Sequence, residues 1–355
     1  MSLELKNVVK RVGAITHIYS TDLKLEDSGF NILLGTTLAG KTTLMQLMAG
    51  LERPTSGEIW FGGKNVTRVP VQKRNVSMVH QQFINYPNLS VFENIASPLR
   101  VAGIARPEIK KRVQQVAELL KLDPLLKRRP GALSGGQQQR TALARALVKE
   151  ADLILLDEPL ANLDFKLREE LRDELPRIFE GRNCTVVYAT TEPMEALLLG
   201  GHTATLQEGR VTQFGETAKI YRRPVDLCSA RVFSDPPINT AEVIKKGDRF
   251  TLNDEVSWTA ESNHLGLTDG SYIVGIRPHH ISPAPGGPQA VTIRGKVLVT
   301  ELSGSESVVH FAIGDRTWVS QSQGIHAFEV GAPAELYMNS GKFLYFTPDE
   351  KLIAA

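Results

Sequence analysis

An α/β domain with a helical insert, followed by a small all-β domain, is the fold class that three features of the sequence predict. First, an apolar run, Phe30-Asn31-Ile32-Leu33-Leu34, leads into Gly35-Thr36-Thr37-Leu38-Ala39-Gly40-Lys41-Thr42-Thr43 and then Leu44-Met45-Gln46-Leu47-Met48-Ala49-Gly50. This reads as strand, glycine loop and helix, the context that the pattern G-x-x-x-x-G-K-[ST] requires. Second, over residues 91–150 the apolar spacing changes to a period of 3.6. Third, residues 240–355 break into short β runs separated by Gly, Pro and Asp, as in a small Greek-key barrel. A chain of 355 residues exceeds one ordinary core, so two domains are expected. The boundaries read as 1–235 and 236–355, with the helical insert at about 83–150.

Residues 3–34 alternate short apolar runs with polar turns, as an antiparallel sheet at the domain's edge would. In the glycine loop, successive N–H groups can turn inward around a phosphate, and the following helix start adds partial positive charge. Lys41 would reach the β- and γ-phosphates, and Thr42 would give its hydroxyl to Mg2+. Pro54-Thr55-Ser56-Gly57 turns into Glu58-Ile59-Trp60-Phe61, and a second turn follows at Gly62-Gly63-Lys64-Asn65. Val76-Ser77-Met78-Val79-His80 is a further short strand that ends at Gln81. Within the insert, Ile109, Val113, Val116, Leu119 and Leu120 share one helix face. Lys110, Lys111, Arg112, Gln114 and Gln115 lie largely on the other, a solvated face rather than a nucleic-acid patch.

Leu133-Ser134-Gly135-Gly136-Gln137 precedes a helical run, with Ser134 as its N-cap. The bland reading is a cap on a flexible loop; the functional one is an anion site at a helix start whose first N–H groups are uncovered. Leu153-Ile154-Leu155-Leu156 then forms a buried strand that ends in Asp157-Glu158-Pro159. An acidic pair ending a strand is usually a turn. After two glycine motifs it reads as chemistry: Asp157 holds the Mg2+ shell through water, and Glu158 polarises the attacking water as general base. Leu160-Ala161-Asn162-Leu163-Asp164 closes the segment ahead of an amphipathic helix over residues 165–180.

Hydrophobic content of 42% and charged content of 23% are those of a soluble globular protein; the net charge of +2 argues neither for nor against nucleic acid, and no nucleic-acid partner is expected. No apolar run approaches the ~18 residues of a membrane span. The N-terminus carries charges where a signal peptide needs its apolar core. Cys184 and Cys228 lie far apart without metal-ligand spacing, and Cys184 opens an apolar strand as core. A reducing, cytoplasmic compartment fits.

Taken together, residues 35–43, 133–137, 155–159 and 160–164, in this order and spacing, resemble the ATPase subunits of ABC transporters. The resemblance implies ATP and Mg2+ as cofactors, and a role for each matching residue. Residues 35–43 match the Walker A loop, and Gln81 the Q-loop glutamine, which also joins the metal shell. Ser134, Gly135, Gly136 and Gln137 match the signature, which acts on a facing subunit's nucleotide. Asp157 matches the Walker B aspartate, Glu158 the catalytic glutamate and Asp164 the D-loop.

It further implies a second ATPase subunit, identical or different, and two transmembrane permease subunits. An extracytoplasmic solute-binding protein acts indirectly, and the place of work is the cytoplasmic face of the inner membrane. Residues 215–224, 233–239 and 275–281 resemble the carbohydrate importers of the maltose and glycerol-3-phosphate type, whose C-terminal regulatory domain is OB-like (TOBE). His279-His280 is no metal pair, because adjacent side chains on a strand face opposite ways.

Three departures from the family pattern stand out. Val12 replaces an adenine-stacking aromatic, with His17 or Tyr19 as substitutes. Thr36-Thr37-Leu38-Ala39 replaces a Pro-Ser-Gly-Ser type of run. Thr191 and Glu192 stand where the family has a switch histidine and an aspartate, as in a branch that imports glycerol or related polyols. A threonine hydroxyl can hydrogen-bond but lacks the charge and reach of imidazole. Two functions follow: an ATPase that powers solute import, or a largely non-hydrolysing subunit that lends its signature to a histidine-bearing partner.

Overall fold

Aliphatic and β-branched runs build the strands of the N-terminal part, and glycine turns punctuate them. A computed structural model describes all residues except 1, 28, 83, 162, 262 and 263. The described chain forms two units, Met1–Ala218 and Lys219–Ala355. In the first, β1 (Leu3–Val12), β2 (Ile15–Lys24) and β3 (Gly29–Gly35) precede α1 (Lys41–Ala49). Next come β4 (Ser56–Phe61), β5 (Lys64–Asn65), β6 (Val76–Val79), α2 (Val91–Val101), α3 (Arg106–Leu119) and α4 (Gly135–Leu147). The unit is completed by β7 (Leu153–Asp157), α5 (Phe165–Phe179), β8 (Thr185–Thr190), α6 (Pro193–Leu199), β9 (His202–Gln207) and β10 (Arg210–Glu216).

Two sheets result. One is antiparallel, in the order β2-β1-β4-β5. The other runs β10-β9-β3-β8-β7-β6 and is parallel except for the β9–β10 hairpin. β3 therefore leaves the edge sheet in which the sequence reading placed it. The reason is its composition: residues 31–35 are all buried, which suits a strand covered on both faces rather than an edge strand with one wet face. β7 and β8 are buried along their whole lengths for the same reason. Because β3, β8 and β7 are parallel neighbours, their C-terminal ends share one edge of the sheet, where ligands of open α/β sheets bind. The phosphate-loop stretch follows β3, Thr191 follows β8, and Asp157-Glu158 ends β7.

The insert is helical as its periodicity requires. α2 starts with a reciprocal capping box between Ser90 and Glu93. α3 buries Ile109, Val113 and Ala117 while Lys110, Lys111, Gln114 and Gln115 are exposed. Val116 and Leu119 are only half-buried. Cys184 is buried and Cys228 half-buried.

The second unit is antiparallel β structure, nearly closed and OB-like. Six strands lie in the order 257–259, 249–251, 239–246, 270–276, 344–346 and 352–354. Five more lie in the order 281–282, 333–339, 290–302, 306–313 and 316–323. Phe250, Ile276 and Tyr345 from the first sheet pack with Ile293, Phe311 and Leu336 from the second in one core. His279-His280 does not lie on a strand: residues 278–280 make a 3-10 turn, which brings the two rings to 4.2 Å between centroids. The alternation rule does not apply there.

Residues 219–235, expected with the first domain, group with the second unit. The short helix Leu227–Val232 turns Leu227 and Ala230 onto Ile238, Leu344 and Phe346, and the Leu227 N–H donates to the Glu350 carbonyl at 2.9 Å. A fragment ending at Ala218 should therefore unfold cooperatively in urea. A fragment that starts at Asn239 should melt at lower urea than residues 219–355, because it lacks this apolar cover; circular dichroism reads both.

Candidate functional site

The loop between β3 and α1 owes its shape to backbone angles that few residues adopt. Gly40, the N-cap of α1, has φ +102°, and a Cβ there would sit 2.9 Å from Ile18 Cδ1. Lys41 opens α1 and folds back over the loop, donating from Nζ to the carbonyls of Gly35 (2.8 Å) and Thr36 (3.1 Å). Only 5% of it is exposed, and Glu158 Oε1 lies 3.4 Å from its ammonium. Burial pulls the Lys41 pKa below the usual lysine value, and the Glu158 and Asp157 carboxylates oppose that shift.

Asp157 ends β7 with 1% exposure. Its Oδ2 accepts a hydrogen bond from the Thr42 hydroxyl at 2.8 Å, and this joins the loop after β3 to the end of β7. Burial raises the Asp157 pKa, against the Thr42 bond, which lowers it. Its Oδ1 is buried with no hydrogen-bond partner among the described residues. Glu158 turns out of the strand with φ +46°, a costly conformation for a side chain, and its N–H donates to the Ala189 carbonyl at 3.0 Å. That turn aims its carboxylate back at the loop, where Oε2 also accepts from Gln81 Nε2 at 2.9 Å.

Lys41, Thr42, Gln81 and Glu158 border one cavity of about 540 Å3, and Asp157 reaches it only through Thr42. The lining includes Thr37, Leu38, Ala39, Gly40, Lys41, Thr42, Thr43, Gln81 and Glu158. Ile15, Thr16, His17, Tyr19, Glu208 and Gly209 also border it. The donor set fits a phosphate chain: a buried ammonium, the N-terminal N–H groups of α1, and a loop free of acidic residues. It also fits a hard divalent cation, since a hydroxyl and an orphaned carboxylate oxygen lie together on Thr42 and Asp157.

Other residues singled out in the sequence lie elsewhere. Thr191 is exposed and does not line the cavity; the buried neighbour Thr190 donates instead to Glu195 Oε2 at 2.6 Å. Ser134 caps α4 in a reciprocal box with Gln137. Ser134 and Gly135 are exposed, and neither they nor Gly136 and Gln137 border the cavity. Asp164 caps α5 by accepting from the Leu167 N–H at 3.1 Å, while Asn162 lies outside the described residues. Val12 is exposed and not part of the lining.

Sequence reasoning missed two features. One is the turn Glu208-Gly209, legible as a hairpin between two strand-like runs but with nothing to place it beside the loop. The other is a carboxylate hub at Glu195, which is 3% exposed. Tyr188 and Thr190 bond one of its oxygens, and Arg168 the other, while Arg168 also pairs with Glu192. No sequence motif announced this hub.

Comparison with known proteins agrees with this geometry. Residues 19–161 match the ABC transporter family, and residues 274–346 the TOBE domain. The chain is 35% identical over 363 residues to the trehalose/maltose import ATP-binding protein MalK of Thermococcus litoralis, covering 97% of each chain. The chain belongs to the ABC transporter ATP-binding family. Hydrolysis of ATP is the activity characteristic of that family, and its ATPase domain binds ATP.

Two further members are similar over most of their length. The sulfoquinovosyl glycerol transport ATP-binding protein SmoE of Agrobacterium fabrum is 35% identical over 318 residues, 88% of each chain. The sn-glycerol-3-phosphate import ATP-binding protein UgpC of Yersinia pestis bv. Antiqua is 33% identical over 353 residues, 99% of this chain and 98% of that one. Among solved ABC structures, the dimeric post-hydrolysis state of the ATP-binding cassette MJ0796, bound to ADP and Pi, superposes with a TM-score of 0.56. That likeness is at 28% identity over 61% of this chain and 98% of the other.

If the Lys41 ammonium neutralises the phosphate chain, Lys41→Ala should raise the Kd for Mg·ATP by roughly a hundredfold, about 2.7 kcal/mol. Equilibrium titration of the purified chain checks it. Unchanged affinity would remove the phosphate loop from the site.

Proposed function

We propose that this ABC ATPase drives import of a sugar, glycerol or a related polyol through two separate permease subunits. The observation that carries the reading is the convergence of Lys41, Thr42, Gln81 and Glu158 from three strand ends on one cavity, with Asp157 bonded to Thr42 just behind it. In this reading Gly35, Thr36, Thr37, Leu38, Ala39, Gly40, Lys41, Thr42 and Thr43 hold the nucleotide's phosphates. Thr42, Gln81 and Asp157 hold Mg2+, which would offset phosphate charge when bound. Glu158 takes a proton from the attacking water, with Gln81 fixing the orientation of its carboxylate.

The exposed helix start at Ser134, Gly135, Gly136 and Gln137 has no phosphate of its own to bind and serves the nucleotide of a facing subunit, with Asp164 near the same junction. That requires a head-to-tail pair of ATPase subunits. The substrate class rests on the named transport roles of MalK, UgpC and SmoE.

Among the described residues no helix is long and apolar enough to cross a membrane. Attachment at the inner face of the cell membrane therefore falls to the permeases, with an extracytoplasmic binding protein delivering the solute. Residues 81–89 and the insert supply the contact; Phe83 lies outside the described residues, and Ile84 and Tyr86 are 59% and 50% exposed. Ile84→Asp should shift the chain from permease-containing membranes to the soluble fraction, and sedimentation reads it.

Glu158→Gln should keep ATP binding while lowering steady-state turnover by roughly 10²–10⁴-fold. One observation favours a second reading, in which this chain pairs with a different, histidine-bearing ATPase. The position that should meet the γ-phosphate is Thr191, and it stands outside the cavity lining. Under that reading the isolated chain binds ATP but turns it over slowly, and mixing with the partner restores the rate. Changes at Ser134 or Gly136 then cost the mixture more than Glu158→Gln. A brisk rate from the chain alone, abolished by Glu158→Gln, overturns the mixed pair.

A further inference from the structure

Gln139 lies in the second turn of α4, just beyond the exposed helix start at residues 134–137, and only 2% of it is exposed. It does not border the nucleotide cavity. Its Nε2 donates at 2.5 Å to the carbonyl of Pro159, the residue that follows Glu158. Its Oε1 is buried with no hydrogen-bond partner among the described residues. As a stabilising contact this is poor, because an unpaired buried oxygen costs at least as much as one amide–carbonyl bond returns. An apolar side chain of the same length would fill the space without that cost. What the amide does supply is a donor of fixed direction, aimed at one carbonyl.

That carbonyl belongs to a turn with few other handles. Glu158 leaves β7 at φ +46°, a strained angle, with its N–H on the Ala189 carbonyl at 3.0 Å. Pro159 has no N–H to give, so the next backbone group that can fix the turn is a carbonyl. The carbonyl of Glu158 takes only a long bond, 3.3 Å, from the Ala161 N–H. Gln139 grips that of Pro159 far more closely. The residue before it is tied as well: the Gln138 carbonyl accepts from Asn85 Nδ2 at 2.8 Å, four residues beyond Gln81. One turn of α4 is thus bonded both to the segment that carries Gln81 and to the turn that carries Glu158. Those two side chains are in turn bonded to each other at 2.9 Å.

We propose that Gln139 is a positioning residue for the general base: through Pro159 it sets the turn from which the Glu158 carboxylate reaches the cavity. It touches no reacting atom itself. The proposal deepens the function proposed above and rests on its reading of Glu158. Because residues 134–137 precede Gln139 on the same helix, the face offered to a second subunit and this chain's own general base are braced together.

The test is a double-mutant cycle on the full chain, read by single-turnover hydrolysis of γ-labelled ATP and by equilibrium titration of Mg·ATP. Gln139→Leu should lower the hydrolysis rate roughly tenfold and leave the Kd for Mg·ATP within about twofold, since the phosphate-holding residues are untouched. In the Glu158→Gln background the same change should lower the rate by less than about twofold, because no base is left to misplace. Urea melts followed by circular dichroism report the fold. Gln139→Met, which also lacks a donor, is read in its place if Gln139→Leu melts early. An unchanged rate in the donor-less variant overturns the proposal. An equal fold-loss in both backgrounds also overturns it, since Gln139 would then act independently of Glu158, and so does a parallel loss of rate and ATP affinity. The two readings fail separately. If Glu158→Gln alone leaves the rate intact, the general base has been misread; if Glu158→Gln stops hydrolysis and Gln139→Leu does not slow it, only the positioning role falls.

Discussion

One hydrogen bond, from the Thr42 hydroxyl to the Asp157 carboxylate at 2.8 Å, joins the two halves of the site on which the first unit converges. It connects the loop after β3 to the end of β7, and β8 lies between them. Such a bond can form only where three parallel strands end together, and parallel strands in turn need helices to carry the chain back across the sheet. Burial of β3, β7 and β8 on both faces keeps that edge rigid. The cavity thus inherits its geometry from the most buried strands of the unit.

Around that bond the charges are arranged as a mutually restrained set. Lys41 is buried and would be destabilised alone; two loop carbonyls and the Glu158 carboxylate offset the loss of water. Glu158 in turn is held by Lys41 and Gln81, in a left-handed conformation that a packed neighbour, Ala189, makes tolerable. Bound phosphates would compete for Lys41 and loosen its hold on Glu158.

The region after β8 shows a different economy. Glu195, buried and fully engaged by Tyr188, Thr190 and Arg168, fixes the segment that carries Thr191 and Glu192. Arg168 lies one turn into α5, the helix capped by Asp164, so the segment and the start of that helix share one ion-pair network. Thr191 itself is exposed and takes no part in this network.

Much of this was legible in the residues. The strand–loop–helix at 30–50, the capped helix at Ser134, the acidic end of β7 and the helical insert all announce themselves through periodicity, glycine placement and caps, which are local properties. So does the all-β character of the C-terminal part. By itself the sequence determined which segment forms strand, glycine loop and helix, which carboxylates end a strand, and that the chain belongs with ABC ATPases. Only the tertiary structure decided that β3 leaves the edge sheet, that residues 219–235 pack with the second unit, that His279 and His280 face each other in a turn, and that Tyr19 and Gly209 stand beside the phosphate loop. These are contacts between residues far apart in the chain. They depend on which apolar faces find one another in space, and no local spacing encodes that choice.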